Sequence, residues 1–388
     1  MGRIAKERAA TGADVVDATL GLLTDDDGRP ALVEAAFDAL ERVSREQAAC
    51  YTPVAGPPEF LEAVVDDVCP EFAEYARPVA TPGASGAIFA AAKVFAGTGG
   101  RAIVPNLYWG PYSSIIDSVG GSLRTFNLFR PDFTLDVDAL LRAANQEAAE
   151  RGRAFIVLNF PCNNPTGYSP AAAEWDDMAR AVAELGREAP VTVLLDDAYS
   201  GYEQPETADQ SLAAWTAAVG TMLETATVLV AWTISKNFTQ YGARVGALVA
   251  LHRDGAERER LAGAAGYVCR TTWSNTNHLW MLAATLLLTD PSLAQLAAAQ
   301  RKRLVEMLRA RAAHFASLAA GAGLRHAPYS GGFFTTVATA NGSAAAAAMR
   351  DEDVFAIPMD TGVRIALCST PVRQIGRVVA AAARAVSA

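Results

Sequence analysis

The stretch that decides the fold is TISKNFTQYGARVG, residues 233–246. It follows directly on TATVLVAW, residues 225–232, in which TVLVAW (227–232) is predicted to be a strand, because β-branched and continuously apolar runs are typical of strands buried on both faces. Lys236 stands where this strand ends, and Arg244 follows eight residues later. A lysine in this place is either a solvated strand end or a reactive amine in a cleft, and the rest of the chain has to distinguish the two.

Similar apolar runs recur along the chain and alternate with helical patterns. Further buried strands are predicted at RAIVP (101–105), AFIVLNF (154–160), VTVLLDD (191–197) and VGALVAL (245–251). Amphipathic helical patterns cover 58–68, 85–97, 135–152 and 171–186. This alternation predicts an α/β fold, in which helices sandwich a mostly parallel sheet.

The pattern changes near residue 290. One long helical pattern covers 291–323 and leads into GGFFTTVAT (331–339), a short helix, GVRIALC (362–368) and a final helix. We therefore expect a large domain of residues 45–290 and a smaller α+β domain of residues 1–44 and 291–388.

The composition limits the class of protein. The 388 residues are 51% hydrophobic and carry a formal net charge of −9 without a dense basic run, so we expect a soluble protein that binds neither nucleic acid nor membranes. The N-terminus lacks the apolar segment of a secretory signal. Five scattered cysteines and four histidines without metal-ligand spacing argue against disulfides and metal sites and favour the cytoplasm.

Polar residues follow several predicted strands. In open α/β sheets ligands bind beyond the carboxyl ends of the strands. Asp196 and Asp197 end one strand on opposite faces, so one of them is expected in the cleft, although a helix cap or turn is the alternative. Gly83, Ala84 and Ser85 open a helix whose free N–H groups favour a phosphate, but such glycine-rich starts are common and no dinucleotide fingerprint is present.

Two further motifs are ambiguous when taken alone. NNPTG, residues 163–167, is a strong turn sequence, and most such stretches are only turns. Trp109 in YWG, residues 108–110, either stacks on a flat heterocycle or belongs to the core.

Together the motifs resemble the fold-type I pyridoxal-phosphate aminotransferases of class I, most of all the aspartate and aromatic amino-acid subgroup. The resemblance runs over nearly the whole chain, through LGLLTDDDGRP, YTPVAGPPEF, GASGA, YWG, NNPTG, DDAYSGY, SKNF, RTTWSN and GVRIAL. It implies a transaminase that uses pyridoxal 5'-phosphate and moves an amino group between an L-amino acid and a 2-oxo acid by ping-pong chemistry. It also implies a homodimer with shared active sites.

The resemblance assigns roles around the cofactor ring. Lys236 is similar to the lysine that binds the cofactor covalently and moves the substrate α-proton. Asp196 corresponds to the partner of the pyridinium nitrogen, while Tyr199 and Asn164 correspond to residues that contact the phenolic oxygen. Trp109 is similar to the tryptophan that stacks on the ring.

The resemblance likewise implies contacts to the phosphate and the substrate. The phosphate ligands implied are Gly83, Ala84, Ser85, Thr233, Arg244 and Tyr51, the last reaching the neighbouring subunit. Arg364 corresponds to the arginine that binds the substrate α-carboxylate in a bidentate way. Arg270 is similar to an arginine that reaches the distal carboxylate of aspartate or glutamate in the partner subunit; an ordinary interface arginine is the alternative. Gly21 lies in the loop that closes over the substrate. The resemblance also implies that Asn164 and Trp109 contact the substrate.

Three positions depart from the pattern of the subgroup. Tyr112 stands where a histidine usually supports the aspartate that binds the pyridine nitrogen, so the electronics of the ring are left open. Leu23 replaces an aromatic residue in the N-terminal loop. Thr233 replaces a serine but keeps the hydroxyl.

Other functions are alternatives to transamination. A β-lyase, a decarboxylase or a specialised-pathway transaminase would share the cofactor and the bond-breaking at Cα. An effector-binding regulator on this fold would need an appended DNA-binding region, which we do not expect because the enzyme-like pattern begins within about 20 residues. A nucleotide-binding dehydrogenase lacks its fingerprint here.

Overall fold

The computed structural model describes residues 1–387. Its strands are β1 Val16–Asp17, β2 Ala76–Thr81, β3 Arg101–Pro105, β4 Ser122–Phe126, β5 Ala154–Leu158, β6 Val191–Asp196, β7 Thr227–Thr233, β8 Gly246–Leu251, β9 Phe334–Ala338, β10 Val354–Phe355, β11 Ile357–Met359 and β12 Gly362–Ala366. Its helices are α1 Gly2–Ala10, α2 Ala35–Glu41, α3 Arg45–Ala48, α4 Pro58–Val68, α5 Gly83–Phe95, α6 Pro111–Ser118, α7 Val137–Arg151, α8 Ala172–Gly186, α9 Ala208–Met222, α10 Ile234–Asn237, α11 Gly255–Thr272, α12 His278–Thr289, α13 Pro291–Gly321, α14 Gly342–Asp351 and α15 Val372–Ser387.

A seven-stranded sheet forms the centre of the molecule, with the strand order β2-β8-β7-β6-β5-β3-β4. Neighbouring strands are parallel except at β8, which pairs antiparallel with both β2 and β7. Every residue of β5, β6 and β7 is buried. The predicted α/β fold with a mostly parallel sheet between helices is confirmed.

Alternate residues of the strands supply two separate hydrophobic cores. On β7, Val228 and Val230 face one core, which also contains residues of α4, α7, α8, α9 and α12. Leu229 and Ala231 face the other, which contains residues of α5, α6 and α11. The period of two along a strand therefore explains why the central strands are apolar throughout.

Several elements lie outside the segments predicted from the sequence, among them β4, α6, α9, α11 and α12. Strand β4 lies at the sheet edge and is partly exposed, so it lacks the continuous apolar run of the inner strands. Helix α11 contains three glycines, which weaken a helical pattern. In residues 1–387 no single helix is long and apolar enough to cross a membrane; α12 and α13 meet that test only as a pair, bent by 90°.

A second layer combines the start and the end of the chain. Strands β11, β12 and β9 form an antiparallel sheet, and β1 pairs parallel with β10. Val16 and Ala18 share a hydrophobic cluster with residues of α13, α14 and α15. Helix α2, in contrast, packs on α12, with Phe37 edge-on to Trp280. The division into domains at residues 45 and 290 stays a prediction.

Candidate active site

A pocket with about 380 Å³ of empty space lies beside the carboxyl ends of β6 and β7. It is lined by Ala84, Ser85, Ile88, Trp109, Asn159, Asn164, Asp196, Ala198, Tyr199, Thr233, Ser235, Lys236 and Arg244. Nine of the predicted site residues thus come together from five segments of the chain. This is the place where a doubly wound sheet binds its ligands.

Lys236 is held in α10, a single turn that begins where β7 ends. The turn is capped by Thr233, whose side chain accepts a hydrogen bond from the Ser235 amide at 3.2 Å. The Lys236 Nζ atom lies 5.3 Å from the centroid of the Tyr199 ring. Burial lowers the pKa of Lys236, and Arg244 lowers it further, whereas Asp196 opposes the shift. The lysine is therefore a largely buried amine in a cleft and not a solvated strand end.

Asp196 is the last residue of β6 and is 4% exposed. The Tyr112 hydroxyl donates to its Oδ2 atom at 2.6 Å, and Asn159 Nδ2 donates to its main-chain oxygen at 2.7 Å. Its Oδ1 atom is buried and has no partner within residues 1–387. Burial raises the pKa of Asp196, while the Tyr112 hydrogen bond and the charge of Lys236 oppose that rise. The next residue, Asp197, does not line the pocket, as the alternation along the strand predicts.

Asn164 connects the pocket to Arg364. Its Nδ2 atom donates to the Tyr199 hydroxyl at 3.3 Å, and its Oδ1 atom accepts from Arg364 Nη1 at 3.2 Å. Arg364 Nη2 donates to the Thr19 carbonyl at 2.8 Å, and the guanidinium lies 4.2 Å from the centroid of the Phe334 ring. Arg364 Nε is buried without a partner in the described chain. A cation with an unused donor at the pocket rim can bind a carboxylate.

The opposite wall of the pocket is suited to an anion. Helix α5 begins at Gly83, where φ is +73° and a Cβ atom would lie 2.9 Å from Arg244 Nη2. Arg244 donates to the carbonyls of Pro82 at 3.3 Å and Tyr241 at 3.0 Å, which fixes its guanidinium beside the helix start. Glycine is favoured here, because a side chain would crowd the Arg244 guanidinium and is strained at this φ. The helix end and the guanidinium together favour a phosphate group.

Five predicted residues lie outside the pocket lining of this chain, namely Gly83 and Arg364, which adjoin it as described above, and Tyr51, Arg270 and Gly21. Tyr51 is 95% exposed. Arg270 is exposed near the end of α11, where its Nη1 atom donates to Ser274 Oγ at 3.0 Å. Gly21 is exposed as well, and a Cβ atom there would lie 3.2 Å from Cζ of Phe334, the ring that stacks on Arg364.

Four lining residues were not predicted, namely Ile88, Asn159, Ala198 and Ser235. Asn159 directly follows β5, and the rule that ligands lie beyond strand ends could have found it. Ser235 belongs to the same turn as Lys236. Ile88 and Ala198 are ordinary apolar residues, and no chemical signal marks them.

The residues present fit pyridoxal 5'-phosphate. The unpartnered Asp196 Oδ1 is a buried acceptor, as a protonated pyridine nitrogen requires. Arg244 and the start of α5 provide the anion site that a phosphate requires. Lys236 supplies the amine that condenses with an aldehyde.

Comparisons with known proteins agree with this geometry. The family model "Aminotransferase class I and II" matches residues 13–381. The tyrosine aminotransferase of Rhizobium meliloti is 31% identical over 283 residues, covering 72% of this chain and 70% of that protein. The aspartate aminotransferase of Escherichia coli is 30% identical over 220 residues, covering 55% of this chain and 52% of that protein.

Solved structures of aminotransferases share the fold. An aminotransferase from Anaerococcus prevotii superposes with a TM-score of 0.92 at 28% identity, covering 100% of this chain and 95% of that one. An aromatic-amino-acid aminotransferase from Burkholderia pseudomallei, covalently bound to pyridoxal phosphate, superposes with a TM-score of 0.81 at 22% identity, covering 100% and 97%. Since the family model spans almost the whole chain, the protein belongs to the class I and II aminotransferases and is a pyridoxal-phosphate-dependent transaminase.

Proposed function

We propose that this transaminase moves the amino group of a dicarboxylic L-amino acid of the aspartate or glutamate kind to a 2-oxo acid, with aromatic amino acids as further donors. The observation that carries the proposal is Lys236, an amine with a lowered pKa in one pocket with the unpartnered oxygen of Asp196. The names of the relatives, which include tyrosine, aromatic-amino-acid and aspartate aminotransferases, support both substrate classes.

The cofactor would be held by the residues assigned above. Asp196 Oδ1 would accept the ring N–H, Asn164 and Tyr199 would contact the phenolic oxygen, and Trp109 would cover the ring face. Gly83, Ala84, Ser85, Thr233 and Arg244 would bind the phosphate. When bound, pyridoxal phosphate supplies an aldehyde that takes up the amino group and a ring that withdraws electrons from Cα.

Lys236 is proposed to move the proton. Because burial lowers its pKa, a larger share of its Nζ is neutral near pH 7 than in an exposed lysine, so it can accept the substrate α-proton. The Tyr199 ring at 5.3 Å restricts where the amine can swing. Lys236 would then serve as the one base that both removes and returns the proton on its side of the pocket.

Arg364 is proposed to bind the α-carboxylate common to every substrate. Its Nη2 donor is occupied by the Thr19 carbonyl, and its Nε donor is unused. A carboxylate that takes both donors would replace a neutral acceptor by a charged one, and charge-assisted hydrogen bonds are about twice as strong. Asn164, which accepts from Nη1, keeps the guanidinium plane oriented toward the pocket.

Arg270 and Tyr51 are proposed to complete the site of a partner subunit in a homodimer. Both side chains are exposed in the single chain, and Arg270 has no carboxylate within ion-pair distance in residues 1–387. An unpaired arginine could bind the distal carboxylate of a dicarboxylic substrate. A nearly fully exposed tyrosine has its apolar ring in water, which favours burial against a second copy.

Two further features belong to the proposal. The five cysteines are all unpaired, which supports a reducing compartment such as the cytoplasm. Residues 45–290 and residues 1–44 with 291–388 would form the large and the small domain, as the separate three-stranded sheet supports.

An absorption spectrum of the purified protein tests the proposal. The holoenzyme should show the yellow band of the lysine-bound cofactor. L-glutamate and L-aspartate should abolish that band at lower concentrations than L-phenylalanine. A band that persists with both dicarboxylates would refute the substrate class. Release of ammonia and pyruvate without a 2-oxo acid acceptor would instead identify a lyase, the principal alternative.

A further inference from the structure

Tyr112 is a buried side chain with one polar contact to the site. It lies in α6, which begins at Pro111, directly after Trp109 and Gly110. Its side chain is 1% exposed, and its ring lies edge-on to Trp109 with the centroids 5.5 Å apart. Its hydroxyl donates to Asp196 Oδ2 at 2.6 Å. One short segment, residues 109–112, therefore positions both the indole at the pocket wall and the donor to the carboxylate.

The Tyr112 hydrogen bond makes the two carboxylate oxygens of Asp196 different in their hydrogen bonding. Oδ2 is occupied by the phenol, and Oδ1 is buried with no donor anywhere in the described chain. A buried carboxylate oxygen without a partner is costly unless a ligand supplies the missing donor. The carboxylate is thus held in an orientation that leaves one acceptor, on one side, for a ligand in the pocket.

We propose that Tyr112 is the positioning residue that orients Asp196 for the ring nitrogen of the cofactor, acting as a donor that never carries a positive charge. This inference rests on the proposed role of Asp196. A phenol donates its O–H to an ionised carboxylate and is neutral while it does so. Burial and then the nearby Asp196 charge raise the pKa of Tyr112 well above its usual value, so the phenol stays protonated and donating.

Removing the Tyr112 hydroxyl should weaken only the interaction between Asp196 and the ring nitrogen of the cofactor. In Tyr112→Phe the buried carboxylate loses the one side-chain donor that it has within residues 1–387, so its ionised form becomes less stable and its orientation is no longer fixed. Hydrogen bonds to charged groups contribute enough for about a tenfold change in affinity. The phosphate contacts and the lysine lie elsewhere in the pocket and should keep their contributions.

The test compares two cofactors on the same apoprotein. Apoprotein is titrated with pyridoxal phosphate and with its analogue in which carbon replaces the ring nitrogen, and the dissociation constants are measured by absorbance. We expect Tyr112→Phe to weaken pyridoxal phosphate about tenfold and the carbon analogue less than twofold. Tyr112→His, which restores a donor, should recover most of the loss. Tyr108→Phe is the matched control, since Tyr108 stacks on Tyr112 with the centroids 6.3 Å apart but makes no hydrogen bond to Asp196 within residues 1–387.

The results for the variant test the role of Tyr112, whereas the results for the wild-type apoprotein test the cofactor site itself. Equal losses for both cofactors in Tyr112→Phe would mean a merely structural tyrosine and would overturn the inference. Unchanged affinity for pyridoxal phosphate would overturn it too. Wild-type apoprotein that binds both compounds equally well would refute the role of Asp196 itself, and wild-type apoprotein that binds neither would refute the proposed site.

Discussion

Arg364 Nη1 donates a hydrogen bond to Asn164 Oδ1 over 3.2 Å, and this bond joins two separate sheets. Arg364 lies on β12 of the three-stranded sheet, whereas Asn164 follows β5 of the seven-stranded sheet. Asn164 in turn donates to Tyr199, which lines the pocket. The proposed carboxylate site is therefore positioned directly from the proposed cofactor site.

Arg364→Lys tests the carboxylate site. A lysine is a point charge that cannot keep the bond to Asn164 and also offer two donors to a carboxylate. We expect the KM for every amino-acid donor to rise about 30-fold or more, whatever its side chain, in line with about 2–5 kcal/mol for a disrupted charge pair. Arg325→Lys is the control, because Arg325 is exposed and its guanidinium contacts the Pro131 carbonyl and the Phe133 ring, away from the pocket. A normal KM in Arg364→Lys would refute the assignment.

Arg270→Ala separates the two substrate classes. If Arg270 binds the distal carboxylate across a dimer, kcat/KM for L-aspartate should fall about 30-fold or more. The value for L-phenylalanine should change less than about threefold, because an aromatic ring offers no charge to pair with. Arg260→Ala on the same helix should leave both values unchanged, since Arg260 pairs with Glu257. Equal losses for both amino acids would contradict the proposed role.

Gly83→Ala tests the phosphate site. The added Cβ would lie 2.9 Å from Arg244 Nη2, at a φ of +73° that side chains rarely adopt. The affinity of the apoprotein for pyridoxal phosphate should fall at least tenfold, about 1.4 kcal/mol, while the affinity for pyridoxal, which has no phosphate, should stay nearly constant. Gly263→Ala serves as control, because a Cβ there meets nothing within 4 Å. A parallel loss for both compounds would indicate general disruption.

The lowered pKa of Lys236 predicts how the stability of the apoprotein depends on pH. Between the lowered folded pKa and the ordinary value of 10.5, the unfolded chain binds a proton that the folded chain does not. Stability linked to this group therefore rises with pH across that window. Lys236→Met should be more stable than wild-type apoprotein at pH 7, and its advantage should shrink as the pH approaches 10.5. Thermal melts of both proteins over this range give the comparison; an advantage that grows with pH would contradict the shift.

The central strands and the chemical groups could be predicted from the sequence because their signals are local. The predicted strand 227–232 is observed as Thr227–Thr233, and the predicted helix 58–68 as Pro58–Val68. Lys236 and Asp196 were recognisable because each polar group lies at or just beyond the end of a buried strand. The phosphate motif at Gly83 needed only its neighbours and the start of a helix.

Other features depended on contacts between distant segments, and no local pattern reveals those. The antiparallel direction of β8 follows from its pairing with β2 and β7, which its apolar residues do not encode. Helix α12 is apolar nearly all round because it packs against α2, α4 and α13, so it lacks an amphipathic period. The bond from Tyr112 to Asp196 spans 84 positions, and its existence was visible only in the fold.

The central claim is that Lys236 holds the cofactor, and the four lysines of the chain allow a direct measurement. Lys6, Lys93 and Lys302 are exposed, whereas Lys236 lies in the pocket. The holoenzyme is reduced with borohydride, digested and mapped by mass spectrometry, which locates the residue that carries the cofactor. We predict stoichiometric label on Lys236 and only background label on the three exposed lysines. Label on an exposed lysine with Lys236 unmodified would contradict this claim.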